Sequence, residues 1–337
     1  MSTLTVPRAA VKPRLGFLGT GWIGRHRLAS LARAGIANLV AIADPDPAAR
    51  DHAGQIADAA VPVASLQELL AADLQGLVIA TPSALHAEQS IAALEHGVAV
   101  FCQKPLGRTS HETRRVVEAA RMADRLLGVD LSYRYTNAMQ AIRALLSRGE
   151  LGRIYAVDLV FHNAYGPDKP WFYDPVLSGG GPVIDLGIHL VDVALWALDF
   201  PRVCAVQSRL FSGGLPLLDA RGGVEDYAVA QLDLAGGAVV RLACSWRLPA
   251  GCDAIFEASF YGTGGGATMR NVNGSFYDFT AERFVGTARE TLAMPPDDWG
   301  GRAITDWVRR LASGDRFDAA ADRWVDLAAV LDAIYRR

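Results

Sequence analysis

A chain of 337 residues exceeds the commonest single-domain size and is expected to fold as two domains. Its hydrophobic share of 51% and charged share of 20% can fill complete cores, and no apolar run approaches the ~20 residues of a membrane helix, so no membrane partner is expected. A formal charge of −3 gives no general basic footprint for nucleic acid, and Cys102, Cys204, Cys244 and Cys252 show neither metal-type spacing nor secretory context, which reads as reduced thiols in a cytoplasm.

Residues 1–13 carry charge and two prolines without a signal-peptide core, and are expected as a flexible tail. The apolar run 15–18 leads into Gly19-Thr20-Gly21-Trp22-Ile23-Gly24, spaced G-x-G-x-x-G, and residues 22–34 then repeat with helical period. A strand that turns through glycines into a helix leaves the first helical N–H groups unpaired at the positive end of the dipole, where a pyrophosphate fits if no side chain blocks the backbone. A purely structural turn would have the same glycines. Residues 38–43 form a second apolar strand ending at Asp44, twenty residues after Gly24, the place of an acid that hydrogen-bonds the adenosine ribose. Asp44 is followed by Pro45 and Asp46 and not by Arg or Ser, which favours NAD over NADP because a 2′-phosphate would meet negative charge.

The alternation continues with a helix over 46–59, a capping-box spacing at Ser65 and Glu68, and a strand over 76–80 stopped by Thr81-Pro82. A helix over 83–96 closed by Gly97, a strand over 98–102, a helix over 109–125 and a strand over 126–131 follow. Such a pattern predicts an α/β fold with a doubly wound parallel sheet, whose ligands bind outside the carboxyl ends of the strands. The loops after Ala80 and Cys102 should then face the glycine loop. Past Ser132 the pattern changes to a helix over 136–147, a strand over 154–161, one further helix, and strands over 203–210, 227–234, 238–246, 254–261 and 267–269, with Gly236-Gly237 as a hairpin signal. This predicts a second, α+β domain with a mainly antiparallel open sheet and a helical tail over 302–335, broken near Gly314. The expected division is 1–131 for the dinucleotide-binding domain and 132–337 for the substrate and oligomerisation domain.

Four segments in order, GTGWIG (19–24), ATPSALHAE (80–88), VFCQKPLG (100–107) and GGGPVIDLGIHLVD (179–192), resemble the glucose-fructose oxidoreductase, inositol dehydrogenase and MocA (Gfo/Idh/MocA) family. The resemblance spans nearly the whole chain. It implies a Rossmann domain joined to an open antiparallel sheet, with Thr81 and Pro82 bordering the cofactor. His86 either touches the cofactor or packs at a helix start. The family usually reads Glu-Lys-Pro where this chain has Gln103-Lys104-Pro105. The resemblance puts Lys104 against substrate and nicotinamide, where an ammonium stabilises a forming alkoxide. Gln103 removes a carboxylate that would favour the protonated lysine but keeps an acceptor oxygen.

Asp185 and His189 lie four apart, hence on one helix face, and the resemblance sets them against the reacting hydroxyl. An imidazole removes a proton near neutral pH, and a nearby carboxylate raises its basicity. A buried Asp–His hydrogen bond or a metal site would use the same pair; no further ligand stands at metal spacing, so no metal is expected. Tyr133, Arg134, His162, Asn163 and Trp171 offer polar edges and a flat wall suited to sugars, although ordinary loop polarity also accounts for them.

These readings converge on an NAD(P)-dependent oxidoreductase, NAD favoured, that moves hydride between nicotinamide and a secondary alcohol or ketone of a sugar, cyclitol or polyol. His189 is the expected base, Lys104 the alkoxide stabiliser and Asp185 the group orienting both. Two other classes share these motifs: a glycoside hydrolase using transient oxidation with retained NAD, and a cofactor-binding sensor without turnover. A sheet face without helices needs a partner surface, so a homodimer or homotetramer is expected.

Overall fold

Short apolar strands build the first sheet of the computed structural model, which describes residues 12–218 and 223–337. Most of the expected tail, residues 1–11, lies outside the described residues. Strands β1 (Arg14–Leu18), β2 (Asn38–Ala43), β3 (Val61–Val63), β4 (Gly76–Ile79), β5 (Ala99–Cys102) and β6 (Leu127–Val129) run parallel in the order β3-β2-β1-β4-β5-β6. β4 and β5 are buried at every residue, as continuous apolar strands between two helical layers must be. The β3 strand was not anticipated: three residues centred on Pro62 at a sheet edge carry no alternation to read.

Helices α1 (Trp22–Ala34), α2 (Pro47–Ile56), α3 (Leu66–Leu70), α4 (Ser83–Glu95) and α5 (Ser110–Ala123) make the connections. Side chains of Asp46, Ser65 and Thr109 accept backbone N–H groups and start α2, α3 and α5. Strand order reverses between β1 and β4, which opens the crevice above their carboxyl ends.

Helix α6 (Asn137–Ser147) leads to the second sheet. Its strands are β7 (Ile154–Asn163), β8 (Val203–Ser212), β9 (Leu215–Pro216), β10 (Tyr227–Leu234), β11 (Val239–Ser245), β12 (Ala254–Gly262), β13 (Gly265–Asn271), β14 (Phe279–Val285) and β15 (Ala288–Ala293). They stand in the order β15-β14-β13-β12-β7-β11-β10-β8-β9, antiparallel except for the parallel pair β7–β11. Residues of β14 and β15 are charge-rich and partly exposed at the sheet edge, so their sequence lacks the alternation that would announce them. Val157, Leu159 and Phe161 of β7 and Phe256, Ala258 and Phe260 of β12 point into the core shared with α6 and α8 (Ile188–Ala197). The opposite face carries the ion pairs Arg241–Asp158 at 2.7 Å and Arg270–Glu257 at 3.2 Å.

Helix α9 (Arg302–Ala312) returns to the first sheet. Trp307 packs on Phe101 with ring centroids 5.7 Å apart, and a Cβ at Gly76 or Gly128 would come within 2.6 Å of its indole. Those two glycines keep the slot open for it.

The apolar stretch 175–197 is long enough to cross a membrane, yet 83% of its most apolar window is buried inside the protein. It is a core segment, and the single helix expected after the glycine run is not uniform. After the short α7 (Pro175–Ser178), the glycine run gives way to a π-helical turn, Val183–Gly187, and only then to α8. Gly179 ends α7 in the left-handed region at φ 86°. A Cβ at Gly180 would run into the hydroxyl of Tyr335, at the end of α10 (Asp322–Tyr335), and one at Gly181 into the carbonyl of Glu225.

Glu225 is fully buried. Its carboxylate accepts from Gly181 N (3.0 Å), Val183 N (2.9 Å) and the Tyr335 hydroxyl (2.6 Å), a negative charge at the positive end of the helical segment. Burial holds its carboxyl above the usual range. Gly180 and Gly181 therefore let Tyr335 and Glu225 close on the chain, and Gly179 leaves room for Arg108. Gly181→Ala forces Glu225 away from the helix start, and chemical denaturation should show a loss of ~1–3 kcal/mol; unchanged stability would refute this packing role.

Candidate functional site

The loops at the carboxyl ends of β1, β2, β4 and β5 border the crevice, and the loop after β5 reaches the π-helical turn through Lys104 and Asp185. In the glycine loop, Gly19 has φ 87°, and a Cβ there would lie 2.6 Å from the Ala80 carbonyl. Gly24 packs on the Gly19 carbonyl, whereas Gly21 faces open space and no side chain caps α1. Thr20 is buried and donates through its N–H (2.6 Å) and its hydroxyl (3.1 Å) to Asp44 Oδ2, while Asp46 N–H donates to Oδ1 at 2.9 Å. Oδ1 keeps a free lone pair. Arg50 donates to the Asp44 carbonyl and Arg25 to that of Thr20. Trp22 is 62% exposed beside His26, and Ile23 is half-buried. An uncapped helix start beside an unobstructed glycine, with a carboxylate at the end of β2, fits the pyrophosphate and ribose of a nicotinamide dinucleotide.

Thr81 donates its hydroxyl to Gln89 Oε1 at 2.6 Å, and Pro82 precedes the first turn of α4. His86 does not face the crevice. It is buried, with Nδ1 2.6 Å from the Pro105 carbonyl and Nε2 2.7 Å from that of Thr81, so it ties the two loops together from behind. Burial lowers its pKa, and a neutral ring can donate to only one of those carbonyls.

Lys104 leaves the end of β5 and spans the crevice. Its Nζ donates to Asp185 Oδ1 and to the Asp185 carbonyl, both at 2.7 Å. The π-helical turn is closed by Ile188 N–H on the Val183 carbonyl, five residues back, and within this wide turn the Asp185 carbonyl takes the lysine as donor. The other carboxylate oxygen accepts from Trp246 Nε1 at 3.1 Å. An ammonium has three N–H groups, and Asp185 takes two.

His189 differs from expectation. It is buried, and its Nδ1 has no hydrogen-bond partner among the described residues. Asp185 is bonded to Lys104 and Trp246, so it does not raise the basicity of the ring. Burial, then the cations Lys104 and Arg27, hold the imidazole well below its ordinary pKa. The ring is therefore held in its neutral form.

The expected substrate residues divide. Tyr133 is buried, stacked on Phe256 (4.9 Å, 8°), with its ring 4.7 Å from that of His189; burial raises its hydroxyl pKa. Arg134 is committed to Asp192 of α8, with Nε 2.7 Å from Oδ2, and lies over Trp196 and Phe200. His162 lies on the other side of the sheet: alternation turns Phe161 inward, and His162 bonds Ser245 Oγ at 2.7 Å and stacks on Tyr227. Asn163 accepts from Tyr165 N–H at 2.8 Å, a local turn. Trp171 stacks on Phe172 at 3.8 Å, and Phe172 and Tyr173 meet Trp246 edge-on, forming an aromatic wall that ends at Asp185. Gln103 faces Asp130.

Sequence reasoning missed Trp246, Glu225 and Asp130. For Trp246 a signal existed: Val240, Leu242 and Cys244 point inward, and the same alternation carries residue 246 to the strand end above the helix. A lone Glu225 in a loop had none.

Residues 13–131 match the oxidoreductase family with an NAD-binding Rossmann fold, and residues 139–268 match the GFO/IDH/MocA C-terminal domain. A protein of Amycolatopsis mediterranei (strain S699), assigned to a UDP-kanosamine synthase as its oxidoreductase subunit, is 31% identical over 92% of this chain and 91% of its own length. The D-glucoside 3-dehydrogenase of Escherichia coli (strain K12) is 31% identical, but the match spans 60% of each chain. The crystal structure of GenD2 from gentamicin A biosynthesis, in complex with NAD, superposes with a TM-score of 0.81 at 25% identity, covering 98% of this chain and 96% of that one. The two matched domains, joined in this order and built as described above, show that the chain belongs to the Gfo/Idh/MocA family of oxidoreductases.

Proposed function

We propose that the protein is an NAD-dependent dehydrogenase of a secondary alcohol in a sugar, cyclitol or related polyol, or a reductase of the matching ketone. The observation that carries this reading is the Lys104 ammonium held on Asp185 across the crevice, near the neutral ring of His189, whose Nδ1 has no partner among the described residues. Nicotinamide, when bound, supplies the hydride acceptor. The remaining N–H of Lys104 is available to the substrate oxygen and stabilises the charge that develops on it. The imidazole of His189 accepts the hydroxyl proton. Asp185 orients Lys104, Trp246 fixes Asp185, and the Trp171–Phe172–Trp246 wall suits the apolar face of a sugar ring. The four free cysteines fit a reducing compartment such as the cytoplasm.

The cofactor preference is read from Asp44, whose carboxylate is fixed beside the glycine loop where a 2′-phosphate would be repelled. On the second sheet, half-buried Val160 and Ile255 stand among the ion pairs of the face away from the core, and this face is proposed to pair with a second copy.

Lys104→Met and His189→Ala should each lower kcat on a confirmed substrate by about 10²-fold or more while NADH binding, followed by fluorescence, is kept. Near-wild-type turnover in both would sink the assignment, and free sugar released from a glycoside without NADH formation would replace it with the hydrolase reading. In the oxidation direction the acidic limb of kcat/KM should lie below about pH 6.5, because a base with a lowered pKa stays neutral further into acid. For the cofactor, kcat/KM should favour NAD over NADP, and Asp44→Ser should narrow the ratio by about tenfold, with Arg50 left beside the phosphate; a wild-type preference for NADP overturns it. Light scattering should show a dimer or tetramer, and a monomer at micromolar concentration would exclude the sheet contact.

A further inference from the structure

Behind the glycine loop lies a buried polar knot that the proposed chemistry does not use. Asp130 follows β6 with its side chain inaccessible, and its carboxylate accepts from three residues. Arg27 of α1 donates through Nε at 2.5 Å, Gln103 through Nε2, and Ser132 through its hydroxyl. Arg27 also reaches Ser132 Oγ through Nη2 at 3.0 Å and lies against His26 Nδ1 through Nη1 at 3.2 Å. Thus the helix that follows the glycine loop, the residue before Lys104 and the entry to the second domain all fasten to one carboxylate.

An ionised carboxylate only accepts, so every neighbour within reach must donate. Gln103 meets that demand with its amide. A carboxylate at position 103 would face Asp130 out of water with one guanidinium to serve both, and one of the two acids would have to keep its proton. Other ionisable groups around the knot are His26 on α1, Cys102 and Lys104 on either side of Gln103, and His189 and Tyr277, which sense the Arg27 charge.

We infer that Gln103 and Asp130 are a matched pair in which Gln103 is a positioning residue: its amide, fixed by Asp130, sets where Lys104 leaves β5, while Asp130 neutralises Arg27. The link to catalysis rests on the reading of Lys104 given above, but the pairing itself is testable without a substrate.

The test is a cycle of Gln103→Glu, Asp130→Asn and the exchanged double variant, each followed by thermal unfolding at pH 5 and pH 8 and by NADH binding. In Gln103→Glu one buried carboxyl takes a folded pKa above its unfolded value of about 4.3. A raised acid favours the fold only while protonated, so the Tm deficit should be small at pH 5 and grow to about 5 °C or more at pH 8. The double variant again has one carboxylate and one amide, with donor and acceptor exchanged. It should regain most of the Tm, lose the pH dependence, and bind NADH within about threefold of wild type. A double variant no more stable than the weaker single variant, including one that does not fold, overturns the pairing. So does a Gln103→Glu deficit that is equal at both pH values. Should Lys104→Met keep its turnover while the exchange still rescues stability, the catalytic reading fails and the pairing stands.

Discussion

The ion pair between Lys104 and Asp185 joins the two sheets across the crevice. The lysine comes from the end of a parallel strand and the aspartate from a π-helical turn under the antiparallel sheet. Both side chains are largely withdrawn from water, 19% exposed each, so the pair is oriented by its hydrogen bonds and is not one of the exposed pairs that contribute little. Everything around it preserves its geometry. Trp246 holds the second carboxylate oxygen, Glu225 and Tyr335 fix the start of the turn, and His86 fastens the lysine loop to the loop after β4.

Charge is arranged unevenly around this pair. His189 lies near two cations, and its ring is neutral because burial and those cations act in the same direction. A carboxylate bonded to the imidazole would have opposed them, but Asp185 is spent on Lys104 and Trp246. The division commits the negative group of Asp185 to Lys104 and Trp246 and not to the imidazole.

Much of this was legible in the sequence, and the reasons for the exceptions are physical. Local signals did well: the glycine spacing, the capping residue Ser65, and the continuous apolar strands β4 and β5 each follow from neighbours a few residues away. The family resemblance drew attention to Lys104, and spacing with it to Asp185 and His189, but not to their bonds. Those depend on the π-helical turn, which the i, i+4 spacing of Asp185 and His189 cannot distinguish from an α-helix. His162 was misplaced because strand parity had to be counted from a face known only once the sheet was seen. Glu225 and Asp130 act through contacts with residues far along the chain, and no local pattern marks such positions.

Helix α9 has a bearing on how the chain is made. The slot between Gly76 and Gly128 is filled by Trp307, which lies near the C-terminal end of the sequence, and this indole covers Phe101 on the central sheet. During synthesis the strands of the first sheet leave the ribosome long before the residue that seals them. Until then an aromatic-sized apolar gap stays open on the first sheet. The first sheet can pair its strands early, but its core closes only once residue 307 has been translated.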